Sequence, residues 1–282
     1  MAITLENVSY VYSAGTPYEI KALDNVSVNI KSGIITGIIG HTGSGKSTFV
    51  QLLNGLEKAT EGRVLIDGKD IWENPKEISK VRFKVGLVMQ YPEYQLFEET
   101  IREDIAFGPK NMGLDDEEIK ERVALAAKFV GLDESLLDKS PFDLSGGQKR
   151  RAAIAGIIAM KPEILVLDEP AAGLDPMGRD DILQSIVNYK NETGATVIIV
   201  SHSMEDMARF CDELVVMAHA KVVMHGSCKE IFSKAETLEE IGLSIPAITK
   251  LMMTLKEKGV DVDSGIYTVN DAINEIARIL ER

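Results

Sequence analysis

Gly40-His41-Thr42-Gly43-Ser44-Gly45-Lys46-Ser47 sets two glycines five residues apart, ahead of a lysine and a serine. In that spacing the glycines let successive backbone N–H groups turn inward on the oxygens of a phosphate chain. Lys46 adds a point charge at the outer phosphates, and Ser47 offers a hydroxyl to Mg2+. Ile164-Leu165-Val166-Leu167 ends in two carboxylates, of which Asp168 suits holding Mg2+ and Glu169 suits polarising an attacking water. A strand-end acidic pair is weak evidence alone, but beside a phosphate loop the two motifs support each other. Leu144-Ser145-Gly146-Gly147-Gln148 runs into Ala152, Ile154, Ala155 and Ile158 at helical spacing. A serine hydroxyl, two glycine amides and a helix N-terminus make a second anion site. One nucleotide can use both sites if two such subunits meet head to tail.

These residues need particular elements to hold them. A short apolar run over residues 34–39 reads as a buried strand feeding the loop. Phe49, Val50, Leu52, Leu53 and Leu56 recur at helical spacing after it, predicting a helix over 47–56 with Gly55 near its end. Further buried strands are predicted at 85–89, 164–167 and 196–200, and strands at 3–8 and 23–30. Continuous apolar strands separated by helices imply an α/β fold with a largely parallel sheet covered on both faces. Residues 115–130 carry Ile119, Val123, Ala126, Ala127 and Val130 on one face and read as part of a helical insert spanning about 95–160. Ile245, Ile248, Met252 and Leu255 mark one tail helix, and Val269, Ile273, Ile276 and Leu280 another, with residues 259–265 expected to be a flexible joint. The predicted organisation is a nucleotide-binding unit over 1–230 and a helical extension over 231–282.

Composition removes other classes. Lys plus Arg number 31 against 44 Asp plus Glu, a net charge of −13, so the basic face that nucleic-acid binding requires is not expected. No apolar stretch approaches the roughly 18 residues of a membrane span. No secretory leader opens the sequence, which predicts a cytoplasmic chain. Cys211 and Cys228 read as unpaired, reduced thiols.

The pentapeptide Leu144–Gln148, together with the phosphate loop and Asp168-Glu169, resembles the ABC transporter ATPases over residues 1 to about 230. The resemblance implies a P-loop NTPase fold: an ABC-type cassette with a parallel core sheet, an antiparallel β subdomain, a helical insert and a small C-terminal helical extension. It implies ATP and Mg2+, with ATP sandwiched between the loop of one subunit and the pentapeptide of its neighbour. Nucleotide contacts then fall on Tyr12, Gly40, His41, Thr42, Gly43, Ser44, Gly45, Lys46, Ser47 and Thr48, and on Ser145, Gly146, Gly147, Gln148 and Asp175. Mg2+ falls on Ser47, Gln90 and Asp168, and catalysis on Glu169, His202, Gln90 and Lys46. Gln90 resembles the Q-loop glutamine that also senses the membrane partner, and His202 the switch histidine at the γ-phosphate. Asp175 resembles the D-loop aspartate and also reads as a helix cap before Pro176. Tyr12 resembles the aromatic that stacks on adenine, with Tyr10 and Tyr18 as competitors. Ala171 stands where the family has threonine, which removes a hydroxyl but no catalytic group.

Tyr91-Pro92-Glu93-Tyr94-Gln95-Leu96-Phe97, Asp104-Ile105-Ala106-Phe107-Gly108-Pro109 and Gln148-Lys149-Arg150-Arg151 running into Ala153-Ile154-Ala155-Gly156 resemble one branch, the ATPases of energy-coupling factor importers of vitamins or cobalt and nickel ions. The insertion over 13–20 looks like the second of that branch's two paralogous ATPases. The branch implies a hydrolysing subunit held peripherally on the cytoplasmic face of the cell membrane. Its partners are a second ATPase, identical or paralogous, a transmembrane coupling protein and a substrate-binding membrane protein; nucleic acid is not among them. Tyr94, Leu96 and Phe97 are candidates for docking a coupling helix, with core packing the alternative for Leu96 and Phe97. The tail either caps the domain or meets the second ATPase. A soluble clamp of DNA repair or translation is the alternative reading, disfavoured because the chain has neither a long coiled-coil insert nor a second cassette. A regulatory module without turnover is disfavoured by the joint presence of Lys46, Asp168, Glu169 and His202.

Overall fold

Strands buried on both faces need unbroken apolar sequence, and the computed structural model, which describes residues 3–280, places the apolar runs accordingly. In chain order, β1 (Ile3–Tyr12) and β2 (Ile20–Ile30) form a hairpin, and β3 (Ile35–Gly40) leads into α1 (Lys46–Leu53). β4 (Glu61–Ile66), β5 (Lys69–Asp70), α2 (Ile78–Lys84) and β6 (Val85–Val88) follow. Then come α3 (Ile101–Asn111), α4 (Asp116–Phe129), α5 (Gly146–Ile158), β7 (Ile164–Asp168), α6 (Pro176–Thr193), β8 (Thr196–Val200) and α7 (Met204–Phe210). The chain closes with β9 (Glu213–Ala218), β10 (Lys221–Ser227), α8 (Cys228–Phe232), α9 (Ala235–Glu240), α10 (Ala247–Glu257) and α11 (Val269–Leu280).

The main sheet has the order β10-β9-β3-β8-β7-β6 and is parallel except for the β10–β9 pair. Alternate residues of each central strand enter opposite layers: Leu165, Leu167, Val197 and Ile199 face the helical side. Ile164, Val166, Ile198 and Val200 face Phe49, Val50, Leu52 and Leu53 of α1 and the antiparallel sheet β2-β1-β4-β5. Because β3, β8, β7 and β6 lie side by side and run the same way, the segments leaving their carboxyl ends emerge together. Those ends carry the phosphate loop, His202, Asp168-Glu169 and Gln90.

The helical insert is anchored by local capping. Thr100 and Glu103 form a reciprocal capping box on α3, and Asp115 caps α4, whose first turn bears Asp116, Glu117 and Glu118 against the helix dipole. Ile101, Ile105, Ile119, Val123 and Ile154 turn into the core of the helical side.

Several elements depart from the sequence reading. The helix after the loop starts at Lys46 and stops at Leu53, because Asn54 caps it and Gly55 turns to φ +66°, leaving Leu56 exposed. Glu61–Ile66, Lys69–Asp70, Glu213–Ala218 and Lys221–Ser227 add four strands that the apolar-run reading does not include. Ile245 precedes α10 instead of lying on it, since the helix begins after Pro246. Residues 259–265 are pinned: Val262 is buried with Met252 and Ala272, and Arg278 donates to the Asp261 carbonyl. Cys211 and Cys228 are both free thiols, with burial pushing Cys228 up to about 12. Among the described residues no helix is long and apolar enough to cross a membrane.

Met252, fully buried in the small tail cluster with Val262 and Ala272, supplies a local test of this packing. Met252→Ala is expected to cost about 2–5 kcal/mol locally and to raise hydrogen exchange in α10 and α11. Nucleotide affinity, measured alongside, should not change.

Candidate active site

The phosphate loop is shaped by contacts only glycine allows. A Cβ on Gly45, at φ +100°, would stand 2.3 Å from the Ala22 carbonyl oxygen, and one on Gly40 would stand 2.4 Å from that of Met217. The loop is therefore wedged between β2 and β9. Gly43, at φ +81°, has open space where its Cβ would be, so the concave side stays clear. Lys46 is buried, and its Nζ donates to the carbonyls of Gly40 at 2.6 Å and His41 at 3.0 Å. Burial lowers its pKa, while the charges of Glu169 and Asp168 pull it back up.

Opposite the loop, burial raises the Asp168 carboxyl, partly offset by a hydrogen bond from Ser47. Glu169 sits in the left-handed region at φ +52°, its backbone N–H donating to Val200 at 3.0 Å; such a conformation turns the side chain off the strand's path. Burial first, and the Asp168 charge second, push Glu169 up to about 7. His202 Nε2 lies 3.1 Å from Glu169 Oε1 but out of line for a hydrogen bond, so that buried oxygen has no hydrogen-bond donor. Burial and the Lys46 charge hold His202 below the usual histidine range, as a neutral imidazole near pH 7.

Tyr12, Thr42, Gly43, Gly45, Lys46, Ser47, Thr48, Gln90, Asp168, Glu169 and His202 line one cleft of about 440 Å3. One wall is cationic and rich in N–H donors; the other is carboxylate. The hydroxyl of Ser47, the amide oxygen of Gln90 and the carboxylate of Asp168 are hard oxygen donors of the kind Mg2+ takes. The buried hydroxyl of Ser44 and Glu169 Oε1 have no hydrogen-bond partner within the protein. The cleft thus fits a nucleotide phosphate chain with its cation.

Gly40, His41 and Ser44 do not line the cleft with the rest; the His41 ring turns toward His219, their centroids 5.7 Å apart. Of the three candidate aromatics, Tyr12 is the one that lines the cleft. Its hydroxyl lies 3.1 Å from Thr48 Oγ1, the Tyr10 hydroxyl is held by Glu57, and Tyr18 is exposed. Ser145, Gly146, Gly147, Gln148 and Asp175 lie outside the cleft. Ser145 caps α5 by accepting from the Gln148 N–H, while Gln148 accepts from the Ser145 N–H. The Ser145 hydroxyl proton stays free to donate. Asp175 caps α6 through the Gly178 N–H at 2.7 Å, with Pro176 in the first turn.

Beyond Gln90 the chain turns at Tyr91, φ +56°, into the short helical turn Pro92–Gln95. Leu96 packs on the core, while Tyr94 and Phe97 are 84% and 65% exposed. Sequence reasoning missed the buried pair Arg150–Glu93, at 2.6 Å. Both residues stand in quoted motifs, but no spacing rule pairs side chains 57 positions apart.

Residues 23–172 match the family model described as ABC transporter. The chain belongs to the ABC transporter ATPase family. It is 54% identical, over 100% of its length and 99% of the other's, to the energy-coupling factor transporter ATP-binding protein EcfA2 of Clostridium acetobutylicum. It is 50% identical to the protein of that name from Acetivibrio thermocellus, across the whole of both chains. Among solved structures, cbiO1 from Clostridium perfringens, part of the ABC transporter complex cbiONQ, superposes with a TM-score of 0.76 at 42% identity, covering 89% of this chain and 98% of that one. The ATP-binding cassette MJ0796, dimeric after hydrolysis with ADP and Pi bound, superposes with a TM-score of 0.72 at 33% identity, covering 80% and 98%. As a member of this family the chain is an ATPase.

Glu169→Gln should abolish ATP hydrolysis and leave ATP binding intact; turnover at the parental rate would remove Glu169 from the chemistry. The free-enzyme pKa of about 7 predicts that log kcat/KM falls as pH drops below about 7. A carboxyl raised from 4.5 to about 7 on folding contributes stability below the lower value that is lost as pH rises through the upper one. Glu169→Gln therefore melts above the parent at pH 8, and the difference closes at pH 4.5.

Proposed function

We propose that the chain is the ATP-hydrolysing subunit of an energy-coupling factor importer of a vitamin or transition-metal ion, bound peripherally to the cytoplasmic face of the membrane. The exposed aromatic surface beside Gln90 carries this reading. Tyr91, Tyr94, Phe97 and Phe107 leave large apolar area in water next to the nucleotide cleft, Phe97 and Phe107 meeting edge to face at 4.8 Å. In a chain 54% identical throughout to an energy-coupling factor ATP-binding protein, that surface suits an apolar helix of a transmembrane coupling protein. Hydrogen bonds from the Phe97 and Glu98 N–H groups to Asp104 fix it to α3.

In the proposed reaction Lys46 moves from the loop carbonyls to the β and γ phosphates, and backbone N–H groups of 43–48 hold the remaining oxygens. Tyr12 stacks on the adenine. Glu169 orients and deprotonates the attacking water, with His202 positioned on the γ-phosphate. Ser47, Asp168 and Gln90 would hold Mg2+, which would supply charge neutralisation on the phosphates. Ser145, Gly146, Gly147, Gln148 and Asp175, outside the cleft of their own chain, contact the ATP of a second ATPase subunit, identical or paralogous, so two clefts close together. Residues 231–282 form an extension that meets that second subunit, and the exposed Val269, Ile273 and Leu280 on α11 suit that contact.

Purification from membranes should bring down two integral membrane proteins and a second ATPase. Tyr94→Ala with Phe97→Ala should release the membrane proteins while the released ATPase still binds ATP. Recovery of the chain without any membrane protein would overturn the transport reading and favour the clamp.

A further inference from the structure

Arg150 lies on the second turn of α5 and is 4% exposed. Its Nε and Nη2 donate to the two carboxylate oxygens of Glu93 at 3.0 and 2.6 Å, and its Nη1 donates to the carbonyl of Ala172. Each partner belongs to a different segment. Glu93 sits in the Pro92–Gln95 turn, three residues past Gln90, with Pro92 buried beneath it. Ala172 begins the stretch that ends at Asp175, the cap of α6. Arg150 itself rides on the helix whose first turn is Ser145-Gly146-Gly147-Gln148.

A planar fork with five donors can serve a bidentate carboxylate and a carbonyl at once, which an ammonium cannot. Breaking one side strands a desolvated charge. The three segments are thereby discouraged from sliding past one another. The α5 end is stiff, because the Ser145–Gln148 capping box fixes the first turn, so a displacement at Arg150 reaches the Ser145 hydroxyl as a rigid-body shift. A more exposed set of ion pairs extends the tie to the His202 side. Arg179 meets Asp206 of α7 at 2.6 Å, and Asp181 meets Arg151 of α5 at 3.1 Å.

We propose that Arg150 is a positioning residue that joins the Gln90 segment, the Ser145–Gln148 helix start and the Asp175 segment into one moving body, so that nucleotide arrival at Gln90 reorients the surface offered to a neighbour's ATP. This rests on the reading that Ser145–Gln148 close over the ATP of a second subunit. Arg150 touches no substrate; its effect reaches the reaction through Ser145 and Gln90.

The test uses the full chain in the oligomer in which it purifies. Glu93→Met with Arg150→Met replaces the buried ion pair by apolar side chains, an exchange that is commonly neutral or stabilising. The expected result is an undiminished melting temperature, unchanged affinity for a fluorescent ATP analogue, and kcat lowered about tenfold or more. Arg150→Lys, which keeps the charge and loses the fork, should show the same loss of kcat with ATP affinity unchanged. If kcat stays at the parental value in either variant, the proposal is overturned and Arg150 serves stability alone. Ser145→Arg, which crowds the helix start directly, separates the two failures. Inactive Ser145→Arg beside active Arg150 variants overturns only the positioning role, whereas active Ser145→Arg overturns the underlying reading as well.

Discussion

Lys46 is a buried cation whose ammonium is spent on two loop carbonyls, with two carboxylates across the cleft. In a chain of net charge −13, this arrangement lets a polyanion bind at all. Burial drives Lys46 toward losing its proton and Asp168 and Glu169 toward gaining one. Both walls of the cleft are therefore electrostatically uncomfortable. A phosphate chain relieves the cationic wall, and a divalent cation relieves the acidic one. The discomfort lies in the folded protein before substrate arrives, which is what preorganisation means in a low-dielectric site.

The remainder of the fold serves to hold those two walls apart at a fixed distance. Parallel strands in the order β3-β8-β7-β6 set the loop, His202, the acidic pair and Gln90 at neighbouring strand ends. Their apolar alternation then locks each strand's register between two cores. None of the four segments can shift lengthwise without turning apolar side chains out of a packed layer. The adjustable parts are those outside the sheet: the Pro92–Gln95 turn, the start of α5 and the segment before α6.

The legible parts of this arrangement were those with a local signal. Continuous apolar runs marked β3, β6, β7 and β8 to within a residue or so; the loop stood out by its spacing, and the acidic pair, weak evidence by itself, gained its weight from the loop. β4 begins with the exposed Glu61-Gly62-Arg63, which leaves only the short run Val64–Ile66 to mark it, and β10, exposed or half-buried throughout, is held as a strand by its pairing with β9; β9 does carry a continuous apolar run, Leu214–Ala218, which sequence reasoning missed. Tyr12 could not be told from Tyr10 because both belong to one strand; Glu57, contributed from after α1, decides which hydroxyl is tied down. Arg150 and Glu93 stood in plain view as charged residues, but a partnership across 57 residues exists only after folding.

Gly45 has no room for a Cβ because the Ala22 carbonyl stands there, and the same hairpin carries Tyr12 onto Thr48. The floor of the phosphate loop and the aromatic edge of the cleft are thus two ends of one rigid piece. The β1–β2 hairpin sets the aromatic edge, the parallel sheet sets the loop and the acidic pair, and the Gly45 wedge ties the one to the other. A tilt of this hairpin would therefore move the floor of the loop and the aromatic edge together, so the cleft's mouth and base cannot drift apart.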